Sequence, residues 1–589
     1  CQYRTSGYSL QASLFKDLTD STEYIKIAFK WQLNNFSLYI NGIKISEDLS
    51  GNVNPSNTFD NLLFNNFHGK TKSLAVFKTA LTDSSLRCLT YPPAVATTFD
   101  LDFDTIAEQF TFTRGSEATF VNAQGLIQST NEIGSELVTN GSFATDSANW
   151  FLTGTSFWVN SSIEVPTGGL TQAFTLENNK TYKITFDVIQ GSGINGGVYV
   201  NTNYNSPVFA DNVGVTTTGV GGTYTFIFTM NGSGNGIMLT RRVNNQDIRI
   251  DNVSVKEHIT ATNTPRLDYS TGSEAFLLEP QSTNLITYSE DFTQWANQGA
   301  IAITSNYGIS PDGTNNSTRI VFSGGSQQIY KNFTSSSGVN GSVYVKGNSG
   351  DEIKIGVTGG EQIITLNGNW QRVTTYSASS TRFTINTFSA TARDIQIWGA
   401  QVEEQSYATS YIPTSGAIAT RNQELCNNAT PVINSEEGTL YAEISALAND
   451  GTFRIISLTD GSTSNRVSLI YNTTSNFFRI MVVSSGSTVF DISHSVTSTL
   501  DFHKVAIKYK ANDFAVWIDG VEVATDTSGA TPIGLDRITF DVGNGTLNFF
   551  GNTKGLKYYP KALQDVQLQD LTSWGSFAEM ANALNYTIK

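Results

Sequence analysis

The chain is predicted to be an all-β protein built from tandem β-sandwiches, and three observations support this. The 589 residues include 50 Gly and 11% aromatic residues but only 15% charged residues, against a typical charged share of about 25%. Short runs of alternating apolar and polar residues recur, as in 182–188, and such runs indicate strands. The sequence also repeats itself twice, and its length predicts roughly four domains.

The first repeat pairs the two ends of the chain. Residues 24–42 and 502–520 align without a gap, and each copy contains two alternating strands followed by an Asn-Gly or Asp-Gly turn. Either dipeptide supplies the positive φ that a two-residue hairpin turn requires. Both copies resume with two leucines three residues apart, starting at Leu86 and at Leu568. That spacing predicts a short helix at the end of each copy.

The end module resembles the laminin-G and concanavalin A-like lectin sandwiches, including a last strand Gly555-Leu-Lys-Tyr-Tyr that runs into an Ala-Leu segment. The N-terminal copy has less strand sequence before its hairpin, so we expect the first sandwich to be incomplete. A chain that starts at Cys1, partway through a sheet domain, is expected to be a fragment of a longer polypeptide, because half a sandwich would expose unpaired strand edges. A processed N-terminus is the alternative.

The second repeat fills the middle of the chain. Residues 136–257 and 284–404 share the strand-and-turn rhythm of a jelly roll, and their closing strands, 247–257 and 394–404, align. The first copy resembles the galactose-binding-like jelly roll of carbohydrate-binding modules, whose first strand often reads Leu-x-x-Asn-Gly-x-Phe and whose last reads Ile-Asp-Asn-Val. Both signatures are present in this copy.

Blocks outside the jelly rolls resemble the tail-fibre and head-spike-fibre proteins of tailed bacteriophages and prophages. They are Phe112-Thr-Arg-Gly-Ser-Glu-Ala-Thr-Phe-Val-Asn, Thr264-Pro-Arg-Leu-Asp-Tyr-Ser, Leu277-Leu-Glu-Pro-Gln-Ser-Thr-Asn and Tyr407-Ala-Thr-Ser-Tyr-Ile-Pro-Thr. In that family the first two blocks usually run on directly, whereas 131–262 separates them here. We therefore expect the first jelly roll to be inserted into a surface loop, where its chain ends lie close together.

These repeats and resemblances divide the chain into seven segments. They are a partial laminin-G/concanavalin A-like sandwich at 1–93, a connector at 94–130, the inserted galactose-binding-like jelly roll at 131–262, a connector at 263–282, a second such jelly roll at 283–405, a linker at 406–435, and a laminin-G/concanavalin A-like sandwich with a short C-terminal helical segment at 436–589.

Charge and motif content argue against several functions. A net charge of −15 and a pI of about 4.8 repel a phosphate backbone, so nucleic acid is not expected as a partner. No apolar run reaches the roughly 18 residues of a membrane helix, so membrane insertion is not expected. The three cysteines are far apart in the sequence and imply no disulfide framework. The four histidines share no catalytic motif, so we do not expect an enzyme.

Sugar recognition in such sandwiches usually rests on an exposed aromatic ring that stacks on a pyranose, flanked by polar groups that bind the hydroxyls. Aromatic residues outside obvious core positions are therefore candidates for carbohydrate binding, and packing in a core or at a domain seam is the alternative for each. The candidates are Trp150, Trp158 and Tyr204 in the first jelly roll, and Trp295, Tyr307 and Trp370 in the second.

The resemblance to carbohydrate-binding jelly rolls also implies a structural calcium ion, since a hard cation suits carboxylate and carbonyl oxygens. Carried over, it nominates Asp251 in the closing strand, with Glu136 and Asn140 from the first strand region. The alternative is that Asp251 faces solvent. The second jelly roll has Trp398 at the equivalent position, which argues against the same site there.

Together the resemblances imply a non-enzymatic structural protein of a phage particle, a tail or head fibre located in the virion and extracellular. Its expected partners are bacterial cell-surface glycans, bound through several weak contacts at once, and other virion proteins. Fibres of this sort are commonly homo-oligomers, often trimers. Two alternatives stay open, because fold alone does not decide function: a glycan-binding accessory region or adhesin of a secreted bacterial protein, and a purely architectural decoration of a capsid or tail.

Overall fold

The computed structural model describes residues 2–4, 10–16, 25–54, 70–71, 74–91, 95–189, 198–201, 213–215, 222–230, 232–241, 248–259, 261–388 and 391–574. Strands make up 49% of the structure and helices 4%, which confirms the all-β prediction. The strands follow the period-2 alternation of the sequence, with one face buried and the other turned to solvent or to a neighbouring element. No helix in these ranges is long and apolar enough to span a membrane.

The N-terminal part contains two small antiparallel sheets that share a small core, and one helix. Its core side chains are Tyr3, Ala12, Leu14, Phe36 and Leu38. The elements are the strand pair Gln2–Arg4 and Leu10–Ser13, the three-stranded sheet Ile27–Lys30, Phe36–Ile40 and Ile43–Asp48, and the helix Asp83–Thr90.

Both predicted hairpin turns are present. Asn41 and Gly42 have φ of 47° and 84°, and Asp519 and Gly520 have φ of 50° and 82°. Two consecutive positive φ values define the type I′ turn, whose twist matches that of the flanking strands. The strand ends on either side of each turn pair directly with each other. The Asn-Gly and Asp-Gly prediction is therefore confirmed.

Both predicted helices are also present and dock in the same way. The helix Asp565–Thr572 ends beside the second hairpin turn, where the Gly520 N–H donates to the Thr572 hydroxyl at 3.1 Å. In the first copy, the Gly42 N–H donates to the Thr90 hydroxyl, also at 3.1 Å. This shared contact agrees with the sequence repeat between the two ends of the chain.

The first jelly roll consists of two antiparallel sheets that face each other across a core containing Phe143, Leu170, Phe186 and Ile250. One sheet runs Phe157–Val159, Ser162–Val165, Ile248–Ile259, Thr181–Val188 and Gly222–Thr229, with Glu132–Glu136 also paired to Ile248–Ile259; the other runs Phe151–Gly154, Gly168–Leu176, Gly234–Arg241, Val198–Asn201 and Val213–Val215.

The second jelly roll repeats this two-sheet arrangement around a core containing Phe292, Ile320, Phe383 and Ile395. A 3-10 helix, Phe292–Gln294, lies near its start. One sheet runs Ala296–Gln298, Gln328–Asn332, Arg382–Asn386, Glu352–Val357 and Gln362–Thr365; the other runs Ile301–Gly308, Ser317–Phe322, Arg393–Glu403, Val339–Gly347 and Gln371–Ser377.

A bulge at the same aligned position confirms that the two jelly rolls share one design. The closing strand of the first jelly roll contains Asn252 with φ of 49°, and that of the second contains Gly399 with φ of 65°. In each case the pairing register with the neighbouring strand shifts there. Asn and Gly tolerate this left-handed conformation better than other residues. Asp251 and Trp398 both immediately precede the bulge, as the alignment predicts.

The two ends of the first jelly roll lie side by side. Glu132 pairs with Ile259 in register, and the Ala261 N–H donates to the Asn131 side chain at 3.2 Å. The Asn263 N–H donates to a backbone carbonyl in the block that precedes the jelly roll, at 2.9 Å. Adjacent entry and exit strands are what an insertion requires, since a domain can enter a loop without disturbing its host only when its ends meet, and the insertion stays a prediction.

The C-terminal sandwich packs an eight-stranded sheet against a five-stranded sheet over the largest core of the described residues. The larger sheet runs Arg266–Asp268, Ala275–Leu278, Gly551–Tyr559, Glu437–Ala446, His503–Lys510, Phe514–Ile518 and Val521–Asp526, with Phe99–Asp100 also paired to Gly551–Tyr559; the smaller runs Ser487–Ser495, Phe477–Ser484, Arg466–Tyr471, Arg454–Thr459 and Arg537–Thr539.

The segments predicted as connectors and linker contribute strands to the structure. Phe99–Asp100, Arg266–Asp268 and Ala275–Leu278 belong to the eight-stranded sheet, and Phe110 and Phe276 lie in the C-terminal core. The physical reason is that one side of Gly551–Tyr559, which already pairs with Glu437–Ala446 on the other side, would otherwise be an exposed sheet edge. The remaining short elements are the helix Ile106–Gln109 and the strand pairs Thr111–Thr113 with Leu425–Asn427, Ser282–Asn284 with Ala419–Arg421, and Thr119–Val121 with Ile127–Ser129.

Candidate functional site

The outer face of one sheet in the second jelly roll contains most of the candidate binding residues. On its central strand, Arg393–Glu403, Ile395 and Ile397 point into the core. Because side chains alternate along a strand, Asp394 and Trp398 project from the opposite face. One end of this outer face, around Asp394, is open to solvent, and the other, around Trp398, is covered by neighbouring segments.

Three side chains form a row across the open end of this face, which we call the Tyr307 row: Tyr307, Arg319 and Asp394. The guanidinium carbon of Arg319 lies 4.8 Å from the centre of the Tyr307 ring. Its Nε and Nη2 donate to the two Asp394 oxygens at 2.8 and 2.5 Å. Tyr307 is 45% exposed. The row therefore presents a fixed aromatic ring beside a rigid, bidentate ion pair.

The ion pair also fixes the charge state of the row. Hydrogen bonds from Arg319 lower the pKa of Asp394 below its ordinary value, and the hydrogen bond to Asp394 raises the pKa of Arg319. Asp394 is consequently a carboxylate at neutral pH and Arg319 a cation. The Asp394 carboxylate can therefore accept hydrogen bonds from hydroxyl groups, and the Arg319 guanidinium can donate to them, without a change in protonation.

At the covered end of the same face lies a cavity of about 130 Å³, which we call the seam cavity. The hairpin of residues 119–129 and the segment 408–411 cover it, and Leu447 and Asn552 of the C-terminal sandwich complete its wall. The side chains most relevant to binding are those of Phe120, Asp268, Glu279, Tyr344, Arg372 and Tyr411. The seam cavity thus joins aromatic rings and charged groups that lie far apart in the sequence.

Beneath the seam cavity lies a buried ion cluster, defined by Arg114, Arg266, Arg421, Glu279 and Glu424. Each of these residues is at most 3% exposed. Glu424 accepts from Arg114 Nη1 at 2.7 Å and from Arg266 Nε at 2.8 Å. Glu279 accepts from Arg266 Nη2 at 2.8 Å and also pairs with Arg421. The cluster ties together segments from both sides of the inserted jelly roll.

Burial by itself raises the pKa of Glu279, but the neighbouring Arg421 and Arg266 outweigh it and lower the pKa to about 2. The carboxylate therefore stays ionised at neutral pH inside the protein. Arg114, Arg266 and Glu279 all belong to the blocks that resemble phage fibre proteins. In this structure these three residues belong to a buried ion cluster.

Two of the six predicted aromatic candidates lie inside hydrophobic cores. Trp150 is 7% exposed and Trp295 is 4% exposed. Their indole N–H groups donate to backbone carbonyls of their own jelly rolls, at 3.1 and 2.9 Å. The rings lie against Phe143 and Phe292. This corrects their nomination for sugar stacking, because a ring enclosed by core side chains presents no face to a ligand.

The other four candidates have different surroundings. Tyr307 lies in the row described above. Trp158 is 38% exposed on an edge strand, and its N–H donates to a backbone carbonyl at 2.7 Å. Trp370 is half-buried against the aromatic cluster of Trp398 and Tyr411. Tyr204 lies outside the described residues. The structure brings none of the other candidates with described side chains into the Tyr307 row.

The three residues nominated for calcium have separate hydrogen-bond or strand-pairing partners. The Glu136 oxygens accept hydrogen bonds from the Val255 N–H at 2.9 Å and the Ser254 hydroxyl at 2.6 Å. The Asn140 side chain donates instead to residues of its own loop. Asp251 of the closing strand pairs in register with Asp187 of the neighbouring strand Thr181–Val188. Within the described ranges no three His, Cys, Asp or Glu residues are grouped to hold a metal ion, so calcium stays a prediction.

No family model matches the chain, and no curated protein matches it. Three solved structures are similar over part of the chain. A leech intramolecular trans-sialidase with 2,7-anhydro-Neu5Ac has 16% identity over 26% of this chain and 27% of its own, with a TM-score of 0.22, and NanB with Optactamide has 14% identity over 24% of this chain and 25% of its own, with a TM-score of 0.21. Domain 4 of AbnA, a GH43 extracellular arabinanase from Geobacillus stearothermophilus, with arabinotriose has 14% identity over 29% of this chain and 84% of its own, with a TM-score of 0.22. TM-scores this low carry no argument about function.

Sequence reasoning nominated Tyr307 but missed its partner Arg319 and the seam residue Arg372. The open end of the face could have been predicted from strand alternation. Ile395 and Ile397 are spaced two residues apart as core residues, which places Asp394 on the opposite, outer face. No comparable signal exists for the seam cavity. Its walls come from the segments 119–129, 268–279 and 408–411, from Tyr344 and Arg372 of the second jelly roll, and from the C-terminal sandwich, which meet only when the chain is folded.

Proposed function

We propose that the chain is a non-enzymatic glycan-binding protein that uses the outer face of its second jelly roll. The Tyr307 row is the observation that carries this proposal. Glycan sites usually combine an exposed aromatic ring with polar groups that bind hydroxyls. In the row, Arg319 is already fixed by Asp394 and packed against Tyr307, so little side-chain freedom is lost on binding, which favours affinity.

The ion pair supports binding in preference to sugar cleavage. Glycoside hydrolysis needs a carboxylic acid that donates a proton at working pH, and such groups have raised pKa values. The pKa of Asp394 is instead lowered by Arg319. This carboxylate is therefore suited to accepting hydrogen bonds from hydroxyl groups and not to acting as a general acid.

We further propose that this glycan binding serves a phage fibre, on the tail or the head, that attaches to bacterial surface glycans. The sequence blocks that resemble fibre proteins support this setting. Several copies in a homo-oligomer would let individually weak sites act together. Immunogold labelling of particles with an antibody against the chain tests the location, and labelling of bacterial secretions without particles would favour the adhesin alternative.

The glycan proposal is tested by binding the full chain to an array of bacterial surface polysaccharides. Tyr307→Ala is expected to weaken binding roughly tenfold, the effect of losing an aromatic contact of about 1.4 kcal/mol. Tyr376→Ala is the matched control, because Tyr376 is 49% exposed and lies on the edge strand of the same sheet. The control should bind like the parent.

Three results would contradict the proposal or part of it. A parent protein that binds no polysaccharide on the array would favour a purely architectural role. Equal binding by the Tyr307→Ala and Tyr376→Ala variants would place the site elsewhere on the molecule. Release of shortened sugars from a bound polysaccharide would contradict the non-enzymatic part of the proposal, and chromatography of the soluble fraction detects it.

A further inference from the structure

We propose that the seam cavity is a second glycan site, specific for a sugar unit that bears a carboxylate, and that Arg372 pairs with that carboxylate. This inference rests on the proposed function and extends it, by naming a separate site and the chemical class of its sugar. It depends on the unsatisfied guanidinium of Arg372, the prior engagement of the cavity's acids, and the size and aromatic lining of the cavity.

Arg372 is held in place but is only partly satisfied. Its Nη2 donates to the Ser342 hydroxyl at 3.1 Å and to the Thr409 carbonyl at 2.7 Å. Its guanidinium carbon lies 5.5 Å from the centre of the Tyr344 ring. Its Nε is buried and has no hydrogen-bond partner among the described residues. Because Nε is shielded from solvent, a ligand reaches the outer Nη groups, and Nη1 makes no hydrogen bond among the described residues.

Arg372 also differs from the other arginines nearby in having no acidic partner. Arg266 and Arg421 below the cavity form ion pairs with Glu279. No carboxylate of the described residues lies within 4.0 Å of the Arg372 nitrogens. The guanidinium carries a permanent charge, and a planar carboxylate matches its fork of N–H donors. The chemistry of this position therefore favours an anionic ligand.

The carboxylates that line the cavity are already engaged. Asp268 accepts from the Val121 N–H and the Ser270 N–H, each at 2.8 Å, and from the Ser270 hydroxyl. Glu279 accepts from the Ser410 N–H at 2.8 Å in addition to its arginine partners. Neither acid needs a ligand to satisfy its oxygens. Among the charged groups that line the cavity, the guanidinium of Arg372 is the one left with bonding capacity.

Size and lining indicate a single sugar ring. The cavity volume of about 130 Å³ is close to the roughly 150 Å³ of a protein cavity that holds one benzene ring, so the site accepts no more than one ring-sized unit. Phe120 and Tyr344 supply aromatic surface, against which the apolar face of a pyranose packs. A carboxylate attached to such a ring reaches the guanidinium while the ring stays against the aromatic side chains.

Calorimetric titration of the full chain with three probes tests this inference: glucuronic acid, glucose and glucose 6-phosphate. The parent is expected to bind glucuronic acid at least about tenfold more tightly than glucose, the size of one charge-assisted hydrogen bond. Arg372→Gln should remove this preference. Arg479→Gln is the control, since Arg479 pairs with Asp491 on the surface of the C-terminal sandwich, and it should keep the preference.

Arg372→Lys provides a second variant in case the glutamine variant unfolds, which its melting temperature reveals. Lysine keeps the charge but loses the fork of donors, so it should retain part of the preference. An unchanged preference in both variants overturns the assignment of Arg372. Tighter binding of glucose 6-phosphate than of glucuronic acid overturns the carboxylate assignment.

The proposed function and this inference fail in different ways. If the parent binds polysaccharides through Tyr307 but binds glucuronic acid no better than glucose, only this inference is wrong. If the parent binds no sugar in either assay, both are wrong. The Tyr307→Ala variant separates the two sites further, because it should keep the preference for glucuronic acid that Arg372→Gln loses.

Discussion

Glu424→Gln is expected to destabilise the C-terminal part of the protein strongly. The Glu424 carboxylate is fully buried and accepts hydrogen bonds from Arg114, from Arg266 and from the Glu279 N–H at 2.9 Å. The neutral variant leaves three buried arginines with Glu279 as the one remaining acid of the cluster. Removing one partner of a buried ion pair costs about 3–5 kcal/mol, because the other charge stays desolvated.

The expected loss can be measured by calorimetry of the full chain. For a domain of about 150–250 residues each kcal/mol lowers the melting temperature by about 2–4 °C, so a shift of roughly 6–20 °C is expected. The transition of the first jelly roll should stay in place, because its core contains no residue of the ion cluster. A multi-domain chain is expected to show several unfolding transitions in the calorimeter, and the midpoint temperature of each is measured separately.

The matched control is Glu164→Gln. Glu164 pairs with Arg249 at 3.1 Å, but their side chains are 24% and 31% exposed. A surface pair of this kind contributes about 0–1 kcal/mol, so the control should shift its own transition little. A Glu424→Gln shift no larger than that of the control would refute the reasoning that the buried ion cluster holds the junction together.

Burial lowers the pKa of His503, but the hydrogen bond to Asp519 has the larger effect, so the pKa of His503 is raised in the folded protein. The stabilisation from this pair is complete below the pKa of about 6.5 that histidine has in the unfolded chain, and it is lost as pH rises through the folded pKa. Asp519→Asn should therefore lower the melting temperature more at pH 5 than at pH 9, and an equal loss at both contradicts this. Burial and the nearby Asp312 raise the pKa of Glu290 from 4.5 to about 7, so the stability of the folded protein falls as pH rises from 4.5 to about 7. In thermal melts, Glu290→Gln should therefore be more stable than the parent at pH 8 but not at pH 4. Gly399→Ala should lower the free energy of unfolding in urea by roughly 1–2 kcal/mol. The loss should exceed that of Gly368→Ala, because a methyl group on residue 399 would lie 3.3 Å from the Tyr411 ring, whereas one on residue 368 would have no atom within 4 Å.

The local features of the fold were predictable from the sequence. The hairpin turns at Asn41 and Asp519 follow from dipeptides that tolerate positive φ. The alignment of the two closing strands was also read from the sequence, although the bulge that they share at Asn252 and Gly399 was not predicted. Each of these features depends on a few neighbouring residues, and strand alternation is likewise a local pattern.

Solvent exposure of single aromatic residues was not predictable in the same way. Trp150 and Trp295 stand outside regular alternation, yet they pack in the cores, whereas Tyr307 is exposed beside Arg319. The sequence gives no spacing rule for residues in loops or at bulges. Their burial depends on how the two sheets close over each other.

The sequence alone therefore determined that this is an all-β chain with repeated segments, since backbone preferences and period-2 alternation are properties of adjacent residues. Only the tertiary structure decided that the predicted connectors are strands of the C-terminal sandwich and that Arg114, Arg266, Arg421, Glu279 and Glu424 meet in one buried cluster. The physical reason is that charge pairing and burial depend on distances between chain segments that are far apart in sequence, and folding fixes those distances.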